Sequence, residues 1–188
     1  MEDTLILASA SPRRKELVGY MGIPFEIVTA NAEETKEGTP AELVMENARR
    51  KAAAVAKSHP GQTVLGADTI VYLDGRVLGK PASTEEAEKM LSSLQNAWHE
   101  VYTGVSVMRD AYEETRFDVS RVLFTPLGRD EIRRYVQTKE PMDKAGAYAL
   151  QGRGGMFVKR IEGSYSNVIG LPMALTREML LRAGLRNI

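Results

Sequence analysis

The sequence contains no cysteine, and this absence excludes three kinds of chemistry. Disulfide bonds, thiolate nucleophiles and cysteine-ligated zinc all require that side chain. The chain has only two histidines, His59 and His99, which lie far apart in the sequence and show no metal-ligand spacing. A histidine-based mechanism is therefore disfavoured, and we look for catalytic groups among the carboxylates and the basic side chains.

An excess of charge of either sign is also missing, because 25 basic residues balance 25 acidic ones. This balance gives no support to non-specific binding of nucleic acid or of an anionic membrane. Aromatic residues make up 6% of the chain, which further disfavours a nucleic-acid-binding module. No apolar run approaches about 18 residues, and the N-terminus opens on a strand pattern rather than a signal peptide. We therefore expect a cytoplasmic protein that binds neither nucleic acid nor membrane, with residues 1–188 forming one domain.

The pattern of apolar residues predicts an α/β fold with a mixed sheet. A strand at 5–8, a helix at 12–21 and a strand at 25–29 are typical of a parallel pair with a crossover helix. Asp74-Gly75 is a strong hairpin signal between strands at 63–73 and 76–78. The remaining predicted elements are helices at 40–58, 130–136 and 172–182, a helix of about ten residues after Ser83, and strands at 99–108, 116–124 and 156–161.

The first predicted helix carries cations where a helix disfavours them. Ser11 is a typical N-cap and Pro12 a typical first helical residue, so Arg13, Arg14 and Lys15 all fall in the first turn. That end of a helix is positive, and each cation there costs a few tenths of a kcal/mol to about 1 kcal/mol. A bound anion removes this conflict, since the free N–H groups of a helix N-terminus and the arginines would bind the same phosphate oxygens.

Two charged residues fall where apolar residues are expected. Lys51 lies in the apolar stripe of the helix that begins at Pro40, and Asp68 lies inside the strand "VLGADTIVYL". Lys51 is either a snorkelling side chain with its ammonium in water or part of a site. Asp68 is either a structural carboxylate that accepts backbone hydrogen bonds or a functional one.

Three further signals are weak when taken alone. Glu33 and Glu34 follow the second strand and are either a solvated loop pair or, with Asp68, an oxygen site for Mg²⁺. Lys80 stands in the loop "LGKP" and is either solvated or an extension of the anion site. The glycine-rich "QGRGG" has neither the Walker spacing nor the dinucleotide fingerprint. Together with the helix N-terminus, these residues favour metal-assisted hydrolysis of a phosphate ester.

Seven stretches, spread over nearly the whole chain, carry a family resemblance. They are "LASASPRRKEL", "AEE", "RRKA", "VLGADTIV", "LGKP", "EPMDKAGAYALQGRGGMFVKRIEGSY" and "VIGLP". In this order they resemble the motifs of the Maf family of nucleoside triphosphate pyrophosphatases. The resemblance implies an elongated mixed β-sheet flanked by helices, with two lobes around a cleft, similar to inosine triphosphate pyrophosphatases. It also implies cleavage between the α and β phosphates, giving a nucleoside monophosphate and pyrophosphate, with Mg²⁺ or Mn²⁺ as cofactor.

The resemblance also assigns roles to residues. It implies that phosphate is bound by Ser9, Arg13 and Arg14. It places four residues in the catalytic set, namely Glu34, Lys51, Asp68 and Lys80. Within this set, Asp68 is the implied proton acceptor, and Glu34 and Asp68 are the implied metal ligands. The subgroup that acts on dTTP and UTP carries an arginine, a threonine and a glutamine at its selectivity positions, which are Arg13, Thr69 and Gln151 in this sequence.

The resemblance leaves several points open. It does not decide among dTTP, UTP and modified pyrimidine nucleotides, or between Glu33 and Glu34 as the metal ligand. Family habit makes a homodimer an expectation. The alternative function is that of a nucleotide-sensing regulatory protein of cell division, connected with septum formation, in which hydrolysis is incidental.

Overall fold

A computed structural model describes residues 4–29, 31–186 and 188 of the chain. Among these residues, seven strands form one sheet with the order β2-β1-β3-β5-β6-β7, and β4 pairs with β3. Strand β1 is parallel to both β2 and β3, whereas β4 is antiparallel to β3 and β7 is antiparallel to β6. The strands are β1 (Leu5–Leu7), β2 (Phe25–Ile27), β3 (Thr63–Leu73), β4 (Arg76–Leu78), β5 (Trp98–Arg109), β6 (Tyr112–Phe124) and β7 (Val158–Glu162).

The helices begin where the sequence supplies caps. Thr39 and Glu42 form both bonds of a capping box at the start of the longest helix, and the Ser83 side chain accepts from the Glu86 N–H. The helices are α1 (Pro12–Gly19), α2 (Pro40–Ala56), α3 (Thr84–Leu94), α4 (Arg129–Gln137), α5 (Tyr165–Ile169) and α6 (Met173–Arg182), with short 3₁₀ helices at Glu140–Asp143, Ala145–Ala147 and Arg153–Phe157. The predicted mixed α/β sheet flanked by helices is thereby confirmed.

Two glycines allow α2 to lie directly against the sheet. A Cβ added to Gly66 of β3 would overlap the Ala48 carbonyl oxygen, and one added to Gly104 of β5 would overlap the Val44 carbonyl oxygen. No larger residue fits at either position without a shift of backbone. This close approach brings the side chains of α2 within reach of the polar residues of β3.

The contacts divide the chain into two compact units. The first comprises Met1–Asp68, Thr103–Asp118 and Gly170–Ile188, and the second comprises Thr69–Tyr102 and Val119–Ile169. The first has a core cluster that includes Ile6, Val55, Val64 and Met108, and the second a larger one that includes Leu91, Val122, Phe124, Tyr148 and Phe157. That residues 1–188 behave as one domain stays a prediction. In the described part of the chain, no helix combines the length and the apolarity that a membrane crossing requires.

Several element boundaries differ from the prediction by one to four residues, and the largest difference is at β6, which begins at Tyr112 instead of residue 116. Helix α2 ends at Ala56 instead of Ser58. Met156 and Phe157 belong to a 3₁₀ helix, so β7 begins at Val158 rather than at 156. The short helix α5 was not expected, because five residues show too little of the helical period to be recognised.

Candidate active site

The turn between β1 and α1 is built by two serines. The Ser11 hydroxyl accepts from the Arg14 backbone N–H at 3.5 Å, and Pro12 occupies the first helical position. The Ser9 hydroxyl accepts from the Ser11 N–H at 3.3 Å and from Nη1 of Arg14 at 3.2 Å. The predicted cap is confirmed, and the N-terminus of α1 carries cationic side chains without an acidic residue in its first turn.

The structure separates the two arginines that the sequence treats alike. Arg14 is buried, and its Nε donates to the Gly170 carbonyl oxygen at 2.8 Å. Burial lowers the pKa of the Arg14 guanidinium, an effect that the negative charges of Asp68 and Glu34 oppose. Arg13 is half-exposed, and in the described part of the chain its guanidinium has no hydrogen bond or ion pair. Arg14 therefore belongs to the wall of the site, whereas Arg13 is available to a ligand.

Lys51 is the centre of a charged cluster. Its ammonium Nζ lies 2.6 Å from Oε1 of Glu34 and 2.7 Å from Oδ1 of Asp68. The side chains of Lys51 and Asp68 are 17% and 12% exposed, so this ion pair is largely shielded from water, while Glu34 is 55% exposed. The ammonium is held by two carboxylates instead of extending into water, which favours the site interpretation of Lys51 over the snorkelling one.

Asn47 is a member of this cluster that sequence reasoning missed. Its side chain is 3% exposed, and its Nδ2 lies 3.4 Å from Oδ2 of Asp68. The same side chain bonds to both backbone groups of Thr35. The available signal was its position one turn before Lys51 on the buried face of α2, but a search for charged residues does not detect an amide.

The second unit contains the three remaining predicted site residues. Thr69 follows Asp68 along β3 and is half-buried, Lys80 is exposed two residues after β4, and Gln151 is half-buried in the glycine-rich stretch. The N–H of Gly146 donates to the Gly79 carbonyl oxygen at 3.1 Å, which ties the segment carrying Lys80 to that stretch. The roles of these three residues stay predictions.

The loop that carries Gln151 is held by a carboxylate. Glu140 accepts from the backbone N–H groups of Arg153 at 3.1 Å and of Gly154 at 3.0 Å, and from the Tyr135 hydroxyl at 2.8 Å. A Cβ on Gly152, whose φ is +146°, would lie 2.8 Å from this carboxylate. The glycine-rich sequence is thus explained by a backbone that wraps closely around Glu140.

The carboxylates fit a divalent cation as part of a nucleotide complex. In the residues that the structure describes, no three His, Cys, Asp or Glu side chains are grouped as a metal site. Mg²⁺ typically uses one or two protein carboxylates and takes its remaining oxygens from phosphates and water. Glu34 and Asp68 already share a cation, the Lys51 ammonium, so their oxygens are suitably arranged as such a pair. Of the two candidate glutamates, Glu34 is the one that lies with Asp68 on this ammonium.

Comparison with known proteins identifies the family, since residues 4–183 match the Maf-like proteins. The chain belongs to the Maf family. It is 53% identical over 184 residues to the dTTP/UTP pyrophosphatase of Pelotomaculum thermopropionicum, with 96% of each chain covered. It is 50% identical over 182 residues to the dTTP/UTP pyrophosphatase of Symbiobacterium thermophilum, covering 96% of this chain and 94% of the relative. Its family resemblance, predicted from the seven motif stretches, is confirmed.

The fold also resembles a solved structure. A HAM1 protein from Coxiella burnetii superimposes with a TM-score of 0.51 at 16% sequence identity, covering 95% of this chain and 98% of that one. Identity this low supports a shared fold and carries no statement about activity.

Proposed function

We propose that this Maf protein is a nucleoside triphosphate pyrophosphatase that hydrolyses dTTP and UTP to the monophosphate and pyrophosphate. The observation that carries the proposal is the meeting of Glu34 and Asp68 at the Lys51 ammonium, in the same unit as the cationic N-terminus of α1. The names of the relatives supply the substrates. Carboxylates beside cations support hydrolysis over simple phosphate binding, since acids near the ligand weaken the hold on an anion. For that reason the regulatory alternative is not favoured.

The triphosphate binds where the chain concentrates positive charge. Pro12 has no N–H and the Arg14 N–H bonds to Ser11, so at the start of α1 it is the Arg13 N–H that donates to a phosphate oxygen, and the Arg13 guanidinium adds charge-assisted hydrogen bonds. Ser9 and Arg14 hold the turn that presents them. Lys51 and Lys80 neutralise further phosphate charge, which stabilises the charge that builds up in the transition state.

The reaction needs one base and no covalent nucleophile. A water molecule attacks the α phosphorus, Asp68 accepts the proton of this water, and the bond from the α phosphorus to the α–β bridging oxygen breaks. Pyrophosphate leaves with that oxygen. A divalent cation, Mg²⁺ or Mn²⁺, held by Glu34 and Asp68, supplies charge neutralisation on the phosphate oxygens when it is bound.

We assign recognition of the nucleotide's base to Gln151, together with Thr69 and Arg13. An amide both donates and accepts hydrogen bonds, so Gln151 can pair with the edge of a pyrimidine and leaves a polar group unpaired when the wrong base enters. The Glu140 carboxylate supports this role because it holds the backbone that follows Gln151.

The test is a screen of the purified protein against nucleoside triphosphates with Mg²⁺ or Mn²⁺ and identification of the products. We expect dTTP and UTP to give monophosphate and pyrophosphate, and Gln151→Ala to narrow the preference for them over purine triphosphates. Release of diphosphate and inorganic phosphate would contradict the proposed bond cleavage. Cytoplasmic location and a homodimer belong to the same proposal, and fractionation and sedimentation test them.

A further inference from the structure

We propose that Asn47 is a positioning residue that holds the loop carrying Glu34 in register with Asp68. The structural part of this inference stands on its own contacts. The kinetic part rests on the proposed function, because it concerns the carboxylate pair that the reaction uses.

The orientation of the Asn47 amide is fixed by the backbone of Thr35. Its Oδ1 accepts from the Thr35 N–H at 2.8 Å, and its Nδ2 donates to the Thr35 carbonyl oxygen at 3.1 Å. A flipped amide would set a donor against a donor and an acceptor against an acceptor. The second hydrogen of Nδ2 is therefore left for Asp68, whose Oδ2 lies 3.4 Å away.

The loop between β2 and α2 depends on this side chain. In the described part of residues 28–39, the backbone belongs to no helix or strand, so its N–H and carbonyl groups need other partners. Thr35 finds both of its partners in Asn47, and Glu34 is the residue directly before it. Asn47 therefore fixes the point from which the Glu34 side chain reaches Lys51, and at the same time contacts the carboxylate on the other side of that ammonium.

Neither aspartate nor leucine reproduces these contacts. Aspartate keeps the acceptor for the Thr35 N–H but replaces the donor with a negative oxygen that faces a carbonyl and a carboxylate. Leucine has nearly the same size and leaves the Thr35 groups without protein partners, at a cost of about 1–3 kcal/mol for each one that stays buried. In either case the backbone beside Glu34 loses its attachment to α2.

The kinetic experiment compares Asn47→Leu and Asn47→Asp with the wild type and with Val55→Ala. Val55 is a buried core residue two turns further along α2, so its truncation destabilises the same helix without removing a hydrogen bond of Thr35. For both Asn47 variants we expect kcat for dTTP to fall about 10- to 100-fold, in the range seen when groups that orient metal ligands are removed. For Asn47→Leu, which adds no charge, the Kd for an α,β-methylene analogue of dTTP should change by less than about threefold, because the phosphate-binding groups remain. Val55→Ala should lose stability and keep kcat.

The inference is overturned if the Asn47 variants fold, lose stability as Val55→Ala does, and keep kcat. Asn47 would then be a structural residue only. A rise in Kd equal to the fall in kcat/KM would also overturn it, since this would show a role in nucleotide binding instead of positioning.

A second measurement needs no variant and no substrate. Hydrogen exchange by NMR in the wild type compares the amide of Thr35 with that of Lys36, for which no acceptor is found in the part of the chain that the structure describes. After correction for intrinsic rates, we expect Thr35 to exchange at least about tenfold more slowly. Equal rates would show that the Asn47 contact does not persist in solution. A protein that hydrolyses no nucleotide would refute the proposed function and leave this exchange result intact.

Discussion

Asp68 and Glu140 are both carboxylates with restricted access to water, yet their partners differ in kind. Asp68 is paired with the Lys51 ammonium, a group at the end of a long side chain. Glu140 is surrounded by the Tyr135 hydroxyl and by backbone N–H groups of the glycine-rich stretch, which cannot leave without a change of backbone. From this difference in partners we expect Asp68 to be available for chemistry and Glu140 to hold the fold.

The pKa of Glu140 is consistent with this contrast. Desolvation raises the pKa of Glu140, but the hydrogen bonds from Gly154, Tyr135 and Arg153 outweigh it, so the pKa lies below its usual value. A carboxyl kept ionised by fixed donors is a poor proton acceptor. The sequence does not reveal these partners, although the family resemblance places Asp68 in the catalytic set and assigns no role to Glu140.

The largest expected effect is that of Asp68→Asn, which keeps the shape of the side chain and removes its charge. Loss of a positioned base lowers kcat by about a hundredfold to ten-thousandfold. Two neighbouring carboxylates alone would predict a gain in stability, but Lys51 lies between them in a pair that is largely shielded from water. We therefore expect the free energy of unfolding to fall modestly, since Glu34 still neutralises the ammonium. Asp74→Asn is the matched control, since Asn-Gly suits its hairpin turn as well as Asp-Gly.

Kinetics and urea unfolding of the two Asp→Asn variants, without added metal for the unfolding, check this prediction. A large loss of stability in Asp68→Asn with normal turnover would make Asp68 a structural carboxylate like Glu140.

Glu140→Gln is expected to lose stability and to keep its turnover. The glutamine side chain has one oxygen where glutamate has two, so at least one of the donors to Glu140 loses its acceptor. The free energy of unfolding should therefore fall by about 1–3 kcal/mol. Turnover of the folded variant on dTTP should stay within about threefold of the wild type, because no step of the reaction uses Glu140. Loss of turnover at unchanged stability would show that Glu140 takes part in the chemistry.

Arg13 and Arg14 are neighbours in the chain, yet we expect their substitutions to have different effects on stability and on nucleotide binding. Arg14→Ala removes the donors of Ser9 and of the buried Gly170 carbonyl, so we expect a loss of about 1–3 kcal/mol in the free energy of unfolding. Arg13→Ala should leave stability unchanged or raise it by a few tenths of a kcal/mol, because a cation leaves the positive end of α1. Nucleotide binding should weaken in Arg13→Ala, as measured by calorimetry with the α,β-methylene analogue. Equal stability losses in the two variants would contradict this separation.

The buried His99 makes stability depend on pH. Burial lowers the pKa of His99, which bonds to the Tyr148 hydroxyl at 2.8 Å, to about 3. Between the ordinary histidine pKa of about 6.5 and this value, the unfolded chain binds a proton that the folded protein does not. The stability contributed by neutral His99 is therefore complete above about pH 6.5 and falls by at most about 1.4 kcal/mol per pH unit below it.

His99→Gln lacks this titration and should show a flatter decline from pH 6.5 to pH 4 in urea unfolding. Parallel declines in variant and wild type would show that His99 is protonated in the folded protein.

The helix starts and the hairpin are predicted well from the sequence, because each depends on residues that are close together in the chain. Thr39 with Glu42, Ser83 with Glu86, and Asp74-Gly75 act within a few residues, and the corresponding helix starts and hairpin are found as expected. The family motifs lead to the polar residues that the structure gathers at Lys51. These features depend on neighbours in the chain or on motifs that can be read directly.

Features that depend on distant partners could not be predicted. Asn47 acts on Thr35 and Asp68, and the burial of Arg14 requires the carbonyl of Gly170, 156 residues away in the chain. The helical period places Asn47 one turn before Lys51, but nothing in the sequence indicates the partners of Asn47 or of Arg14. The amide of Asn47 is especially hard to detect because its importance comes from two backbone groups, which every residue possesses.

The proposed reaction has water attack the α phosphorus. Hydrolysis of dTTP in ¹⁸O-labelled water, followed by mass spectrometry of both products, tests this directly. We expect one ¹⁸O atom in thymidine monophosphate and none in pyrophosphate. Label in the pyrophosphate would show that water attacks the β phosphorus and would overturn the proposed mechanism.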